Sequence, residues 1–189
     1  MAETEGTPEP PPHEPKRRRG LIIVNTGDGK GKTTAALGLA FRALGSGFTV
    51  FMVQYIKGKW KTGEKKLADR LAPQIEIRPM GDGFTWNTKN PAQDIATTLK
   101  IWDVSREAIS SGRYDIVILD EINVVMKLGY LDPKVVVEFL KARDPRQHVI
   151  LTGRGAPAEL IEAADLVSEI MPVKHPYKSG VQAQLGIEF

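Results

Sequence analysis

Eight consecutive residues, Gly27-Asp28-Gly29-Lys30-Gly31-Lys32-Thr33-Thr34, combine a pliable backbone with cations and two hydroxyls. Glycines let the chain turn tightly and aim several N–H groups at one anion. Lys32 adds a mobile positive charge, and the Thr33 hydroxyl suits a magnesium ion. This is the chemistry of a polyphosphate-binding loop. The spacing is a variant of G-x-x-x-x-G-K-[ST]: counted back from Gly31, Thr26 stands where the first glycine is expected, and Gly27 leaves three residues before Gly31. An ordinary glycine-rich turn is the weaker reading. Gly31-Lys32-Thr33-Thr34 lies between an apolar run, Leu21-Ile22-Ile23-Val24, and a helix-like segment over residues 35–44.

A second group of candidates follows Asp115-Ile116-Val117-Ile118-Leu119, a strand that ends in Asp120-Glu121. Paired with a phosphate loop, such a strand is Walker-B-like and delivers carboxylates beside the phosphates to hold magnesium. The competing role for Asp120 is to cap the following helix. A third candidate is Arg154, set between Gly153 and Gly155 after the strand over 148–152, where a guanidinium suits a phosphate or ribose. Lys57, after the strand over 48–54, is a further possible ligand contact. In Met80-Gly81-Asp82-Gly83-Phe84-Thr85-Trp86-Asn87, two aromatics sit in a glycine-rich loop. By residue type alone they read slightly better as folded onto the core than as presented to a flat ligand. His175 has no second ligand at metal spacing.

These residues need strands and helices to hold them. Short apolar runs alternate with helical periodicity: strands over 74–78 and 166–171, helices over 64–71 and from Pro91, and another from Asp132-Pro133. In the Pro91 helix Ile95, Leu99, Trp102, Arg106 and Ile109 mark one face at helical spacing, with Trp102 expected in the core, and in the Pro133 helix Val135, Val136, Phe139 and Leu140 face the core. The expected fold is α/β, a mostly parallel sheet with helices on both faces, of the P-loop NTPase-like, RecA-like kind. Residues 1–19, proline-rich and nearly free of large apolar groups, read as a disordered arm before one domain over 20–189. Glu3, Glu5, Glu9 and Glu14 balance Lys16, Arg17, Arg18 and Arg19 in that arm, and the whole chain of 189 residues carries only +3. That is too little to argue for nucleic acid, yet it fits a polyphosphate ligand. The chain has no cysteine, which excludes disulfides and thiolate metal sites. It also lacks an apolar run near the roughly 20 residues of a membrane span, and a signal-peptide core is not seen, so a cytoplasmic location is expected.

Taken together, the motifs resemble those of the P-loop corrinoid adenosyltransferases, the cob(I)yrinic acid a,c-diamide adenosyltransferase family. The resemblance rests on residues 26–36, Val53-Gln54-Tyr55-Ile56-Lys57-Gly58, Gly83-Phe84-Thr85-Trp86, Leu119-Asp120-Glu121 and Thr152-Gly153-Arg154-Gly155. Pro172-Val173-Lys174-His175 and Gly180-Val181-Gln182-Ala183-Gln184 extend it, so it runs over nearly the whole chain from Arg19. It implies transfer of the 5′-deoxyadenosyl group of ATP to the Co(I) of a corrinoid, with release of triphosphate.

On that basis Gly27, Asp28, Gly29, Lys30, Gly31, Lys32, Thr33, Thr34 and Arg154 would bind ATP. Lys32, Thr33 and Glu121 would carry catalysis, and Thr33, Glu121 and Asp120 would hold Mg²⁺, Asp120 either directly or at one remove. The resemblance reverses the reading of Phe84 and Trp86, which would pack on the corrin and exclude the lower axial ligand of cobalt. Trp60 and Trp102 gain no such role. It further implies an electron donor such as a reduced flavoprotein, and a homodimer, with neither membrane nor nucleic acid as partner. Two rival classes share Lys32, Thr33 and Glu121: a P-loop ATPase or phosphotransferase releasing ADP, and an ATP-regulated binding protein.

Overall fold

The computed structural model describes residues 19–58, 62–83 and 90–187. Phe84, Trp86, Trp60 and the arm over 1–18 lie outside these residues. Six parallel strands form one sheet: β1 (Ile22–Thr26), β2 (Val50–Gln54), β3 (Ile75–Pro79), β4 (Ile116–Asp120), β5 (His148–Thr152) and β6 (Leu166–Glu169), in the order β3-β2-β4-β5-β1-β6. Strand β5 thus separates the loop-bearing β1 from the carboxylate-bearing β4.

The helices are α1 (Lys32–Gly45), α2 (Gly63–Arg70), α3 (Pro91–Ser110), α4 (Ile122–Lys127), α5 (Pro133–Lys141) and α6 (Ala158–Ala163). Side chains alternate across the sheet and build two cores. Ile23, Met52 and Ile118 pack with Ala36, Ala40 and Ala43 of α1 and Ala68 of α2. Val24, Val53 and Leu119 pack on the other face with Ile101 and Trp102 of α3, Val125 of α4, Leu140 of α5 and Leu160 of α6. Covered on both faces, β1, β2 and β4 are buried throughout, which is why they read as unbroken apolar runs. The expected α/β architecture, with helices on both faces, is the one observed.

Several boundaries differ from expectation, each for a local reason. Strand β1 runs on through Asn25 and Thr26, whose side chains find partners at the rim: Asn25 Nδ2 donates to the Lys32 carbonyl at 3.3 Å, and Thr26 Oγ1 accepts the Ala156 N–H at 3.1 Å. Asn25 lies opposite Thr152, and Thr26 opposite Glu169. Thr26 therefore occupies the end of a strand, and the loop begins one residue late. Helix α1 starts at Lys32, with Gly31 as its left-handed N-cap at φ 119°. Helix α4, from Ile122, is the helix expected after Asp120, whereas the short α6 has no counterpart in the sequence reading.

The buried face of α3 is only partly the one expected. Ile95 and Leu99 are 38 % and 46 % exposed, and Arg106 is exposed as well. Trp102 and Ile109 are buried as expected, and with them Asp94, Thr98, Ile101, Ser105 and Ala108. Polar residues on that face hid its period; Ser105, for example, bonds Tyr55 Oη at 2.8 Å and the Ile101 carbonyl at 2.8 Å. In α5 Val135 points outward, and Val136, Val137 and Leu140 are the buried set. Trp102 is core as expected, edge-on to Phe139 at 5.5 Å.

Candidate active site

All strands run the same way, so their carboxyl ends share one rim, the usual ligand side of an open parallel sheet. Gln54 of β2 lies in register with Asp120 of β4. One position past the Leu119–Leu151 pair, Asp120 faces Thr152 of β5, and Thr152 pairs with Asn25 of β1. Four polar side chains therefore line up across the rim directly below the phosphate loop.

The loop leaves β1 and docks against the end of β6. Gly29 N donates to the Ile170 carbonyl at 2.7 Å, and Ile170 N to the Thr26 carbonyl at 2.9 Å. Gly27 has φ 92°, and a Cβ there would lie 2.5 Å from the Ile170 oxygen, so this glycine is required by the fit against β6 as well as by the turn. Beyond Gly31, the N–H groups of the first turn of α1 precede the first intrahelical acceptor and face the loop, the arrangement that takes up anions. Asp28, Lys30 and Thr34 are exposed around it.

Lys32 is 7 % exposed, and its ammonium donates to the Gly29 carbonyl at 2.7 Å. Burial pulls its pKa down, and the nearby Arg154 adds to this, against opposing pulls from Glu121, Asp28 and Asp120. A cation held this way, short of anionic partners, is ready to exchange a carbonyl for a phosphate oxygen.

Asp120 is fully buried and accepts three hydrogen bonds. Thr33 Oγ1 and Thr152 Oγ1 donate to its Oδ1 at 2.7 and 2.8 Å, and Gln54 Nε2 donates to Oδ2 at 3.1 Å. Asp120 therefore does not cap α4. The N-cap is Glu121, in the left-handed region at φ 64° and without a side-chain capping bond. Thr152 and Gln54 took no role in the sequence reading. Their signal was present, as polar residues ending otherwise apolar strands, but only the sheet order brings both onto one carboxylate.

Burial pushes the Glu121 carboxyl up to about 7; the adjoining Asp120 charge adds to this, and Lys32, Lys57 and Arg154 pull it back. The folded value lies above that of the unfolded chain. The stabilisation from this group is therefore complete below the ordinary carboxylate range and lost as pH rises through about 7. Glu121→Gln should remove that slope, leaving the variant more stable than the parent at pH 8 by up to about 3 kcal/mol. Denaturant unfolding at pH 5 and pH 8 checks this; parallel slopes for parent and variant would refute it.

Arg154 follows Thr152 and Gly153 and lies across from the loop, its Nε 3.9 Å from Asp28 Oδ1, both side chains more than half exposed. So loose and exposed a pair contributes little stability and leaves the guanidinium open to a ligand. Lys57 forms an ion pair with Glu64 at 3.0 Å, which fixes it on the β2 side of the rim. The fold thus brings together residues 27–34, Asp120, Glu121 and Arg154. The oxygens of Thr33, Asp120 and Glu121 are hard donors of the kind magnesium prefers. No group of three or more carboxylates or histidines clusters among the described residues, so an ion here would lean on phosphate oxygens too.

Residues 18–189 match the family model described as ATP:corrinoid adenosyltransferase BtuR/CobO/CobP. The chain belongs to this family. Similar corrinoid adenosyltransferases include one from a Sinorhizobium species, 46 % identical over 90 % of this chain and 81 % of the relative. One from Escherichia coli K12 is 45 % identical over 90 % and 86 %, and one from Salmonella typhimurium 44 % identical over 92 % and 88 %. Among solved structures, the flagellar accessory protein FlaH of Methanocaldococcus jannaschii superposes with a TM-score of 0.55 at 14 % identity, covering 80 % of this chain and 71 % of that one. That likeness concerns the fold, which is P-loop NTPase-like. No helix among the described residues is long and apolar enough to cross a membrane.

Proposed function

We propose that this chain transfers the 5′-deoxyadenosyl group of ATP to the Co(I) of a corrinoid in adenosylcobalamin formation. The Co(I) electron pair attacks C5′, a Co–C bond forms, the C5′–O bond breaks, and its electrons leave with triphosphate. The observation that carries this reading is the composition of the rim in a member of this family: a phosphate loop, a buried cation, hydroxyls and two carboxylates. Those groups position and stabilise charge, and the substrate brings its own nucleophile.

Lys32 and the N–H groups of the loop and first turn neutralise the triphosphate as it leaves. Arg154 contacts the nucleotide from the opposite side. Thr33 and Glu121 would hold Mg²⁺, with Asp120 orienting the Thr33 hydroxyl through Oδ1. When bound, the ion supplies charge neutralisation at the phosphates. Because Glu121 carries a proton in much of the ligand-free protein at neutral pH, binding of Mg²⁺ and ATP should displace it. Calorimetry at pH 6.5 in two buffers of different ionisation enthalpy should report release of up to about one proton, absent in Glu121→Gln.

Phe84 and Trp86 are assigned to the corrin, where they keep the lower axial position of cobalt free of a donor and so ease reduction of Co(II). Changing both to Ala should leave ATP affinity nearly intact and lower adenosylation from Co(II) about tenfold or more, since axial ligation sets the metal's potential. Unchanged turnover with a Co(II) corrinoid and a biological reductant would remove both from the mechanism. A reduced flavoprotein as electron donor, a homodimer and a cytoplasmic location complete the proposal.

The deciding experiment is product analysis. Triphosphate and adenosylated corrinoid should form together, and only with a reduced corrinoid. ADP formed from ATP alone would support the phosphotransferase class instead.

A further inference from the structure

Thr152 ends β5 fully buried, and its hydroxyl serves two neighbours at once. It donates to Asp120 Oδ1 at 2.8 Å and accepts the Glu121 backbone N–H at 2.9 Å. Glu121 is the non-glycine residue among those described with a positive φ, 64°, a conformation that needs outside support to persist. The next residue, Gly153, completes the support by leaving room: a Cβ there would stand 3.2 Å from Glu121 Oε2 and 3.0 Å from Asn123 Cβ. Asn123 Nδ2 in turn donates to the Gly153 carbonyl at 3.1 Å. Strand β5 therefore reaches the Glu121 backbone, its side chain and the Asp120 carboxylate through two consecutive residues.

We infer that Thr152 is a positioning residue whose hydroxyl ties the Glu121 backbone to the Asp120 carboxylate. The Thr33 hydroxyl, bonded to the same Oδ1, is thereby held in a fixed relation to Glu121. This rests on the adenosyltransferase reading of the site. A purely structural threonine would satisfy the same two buried groups, so the test must separate support of the fold from support of Glu121.

The experiment measures kcat and KM for ATP with a reduced corrinoid, quantifying triphosphate. Thr152→Val, nearly the same shape without the hydroxyl, should lower kcat by about 10–100-fold, the range typical of groups that orient site ligands. KM for ATP should stay within about threefold, because the loop and Lys32 are untouched. Thr152→Ser should recover kcat to within about threefold of the parent, since it retains the donor and acceptor. In a Glu121→Gln background, Thr152→Val should add less than about twofold, the signature of a residue acting through Glu121. Should Thr152→Val fail to fold, Thr152→Cys takes its place in each comparison. Parent-like kcat in the variant lacking the hydroxyl, or losses that multiply in the double variant, would overturn the inference while leaving the adenosyltransferase reading intact. A parent enzyme inert with ATP and reduced corrinoid would overturn that reading, and this inference with it.

Discussion

Lys32→Ala should lower kcat by about 10²–10³-fold, the loss seen when one preorganised donor to a developing oxyanion is removed. Lys32 is 7 % exposed, with its ammonium on the Gly29 carbonyl at the mouth of the first turn of α1. Low local polarity strengthens its attraction for a leaving group whose charge grows as the C5′–O bond lengthens. The same environment makes it costly in the ligand-free protein, where burial has already lowered its affinity for the proton. The two states therefore predict opposite signs. With ATP absent, Lys32→Ala should unfold at the same temperature as the parent or higher. With saturating ATP, the parent should gain more thermal stability than the variant. Arginine will not substitute well, because a guanidinium is too large and too rigid for a site shaped around a point charge. Full activity in Lys32→Ala would remove the loop from the mechanism.

The second large effect should come from Asp120, and here the choice of replacement separates charge from structure. Asp120→Ala strips the acceptor from Thr33, Thr152 and Gln54 at a fully buried position. Each orphaned donor costs on the order of 1–3 kcal/mol, so loss of the folded state is the expected outcome. Asp120→Asn should fold. Its Oδ1 can still accept from both threonines, and its new amide group can be met by rotating the Gln54 amide, whose Oε1 lacks a hydrogen-bond partner. What is lost is the negative charge behind the Thr33 hydroxyl, which should lower activity by about 10–100-fold with KM for ATP changed less. Circular dichroism melting curves beside steady-state rates distinguish the two. An Asn variant at the parent rate would show that the Asp120 charge does not matter to the chemistry.

The two carboxylates thus have different tasks despite being adjacent. Asp120 is saturated on Oδ1 and faces inward, so its influence passes through Thr33. Glu121 is turned by its left-handed backbone toward the cationic side of the rim, among the charges of Lys32, Lys57 and Arg154. Neighbouring residues on a regular strand also point opposite ways, but the strand ends at Asp120. It is the left-handed N-cap at Glu121, held by Thr152 from β5, that sets the second direction.

Much of this protein is determined by local sequence. The loop of residues 27–34 is recognisable because glycines, a lysine and a threonine must be contiguous to surround one anion. The buried strands announce themselves because a sheet covered on both faces needs apolar side chains on both. Arg154 between two glycines, and Asp120-Glu121 after a strand, are read from the same adjacency. What adjacency cannot convey is the order of strands. Only the sheet sequence β3-β2-β4-β5-β1-β6 puts Gln54 and Thr152 on either side of Asp120, and so divides the work between two neighbouring carboxylates. Likewise, the true face of α3 carries Asp94, Thr98 and Ser105, which break the apolar period, and Ser105 meets its partner Tyr55 only across the fold. Even the displaced first glycine has a tertiary cause: Thr26 completes β1 between β5 and β6, and the loop can begin only where that strand stops. Contiguous chemistry is written in the chain; contacts between residues far apart in sequence, which fix orientation and charge, exist only once the sheet has formed.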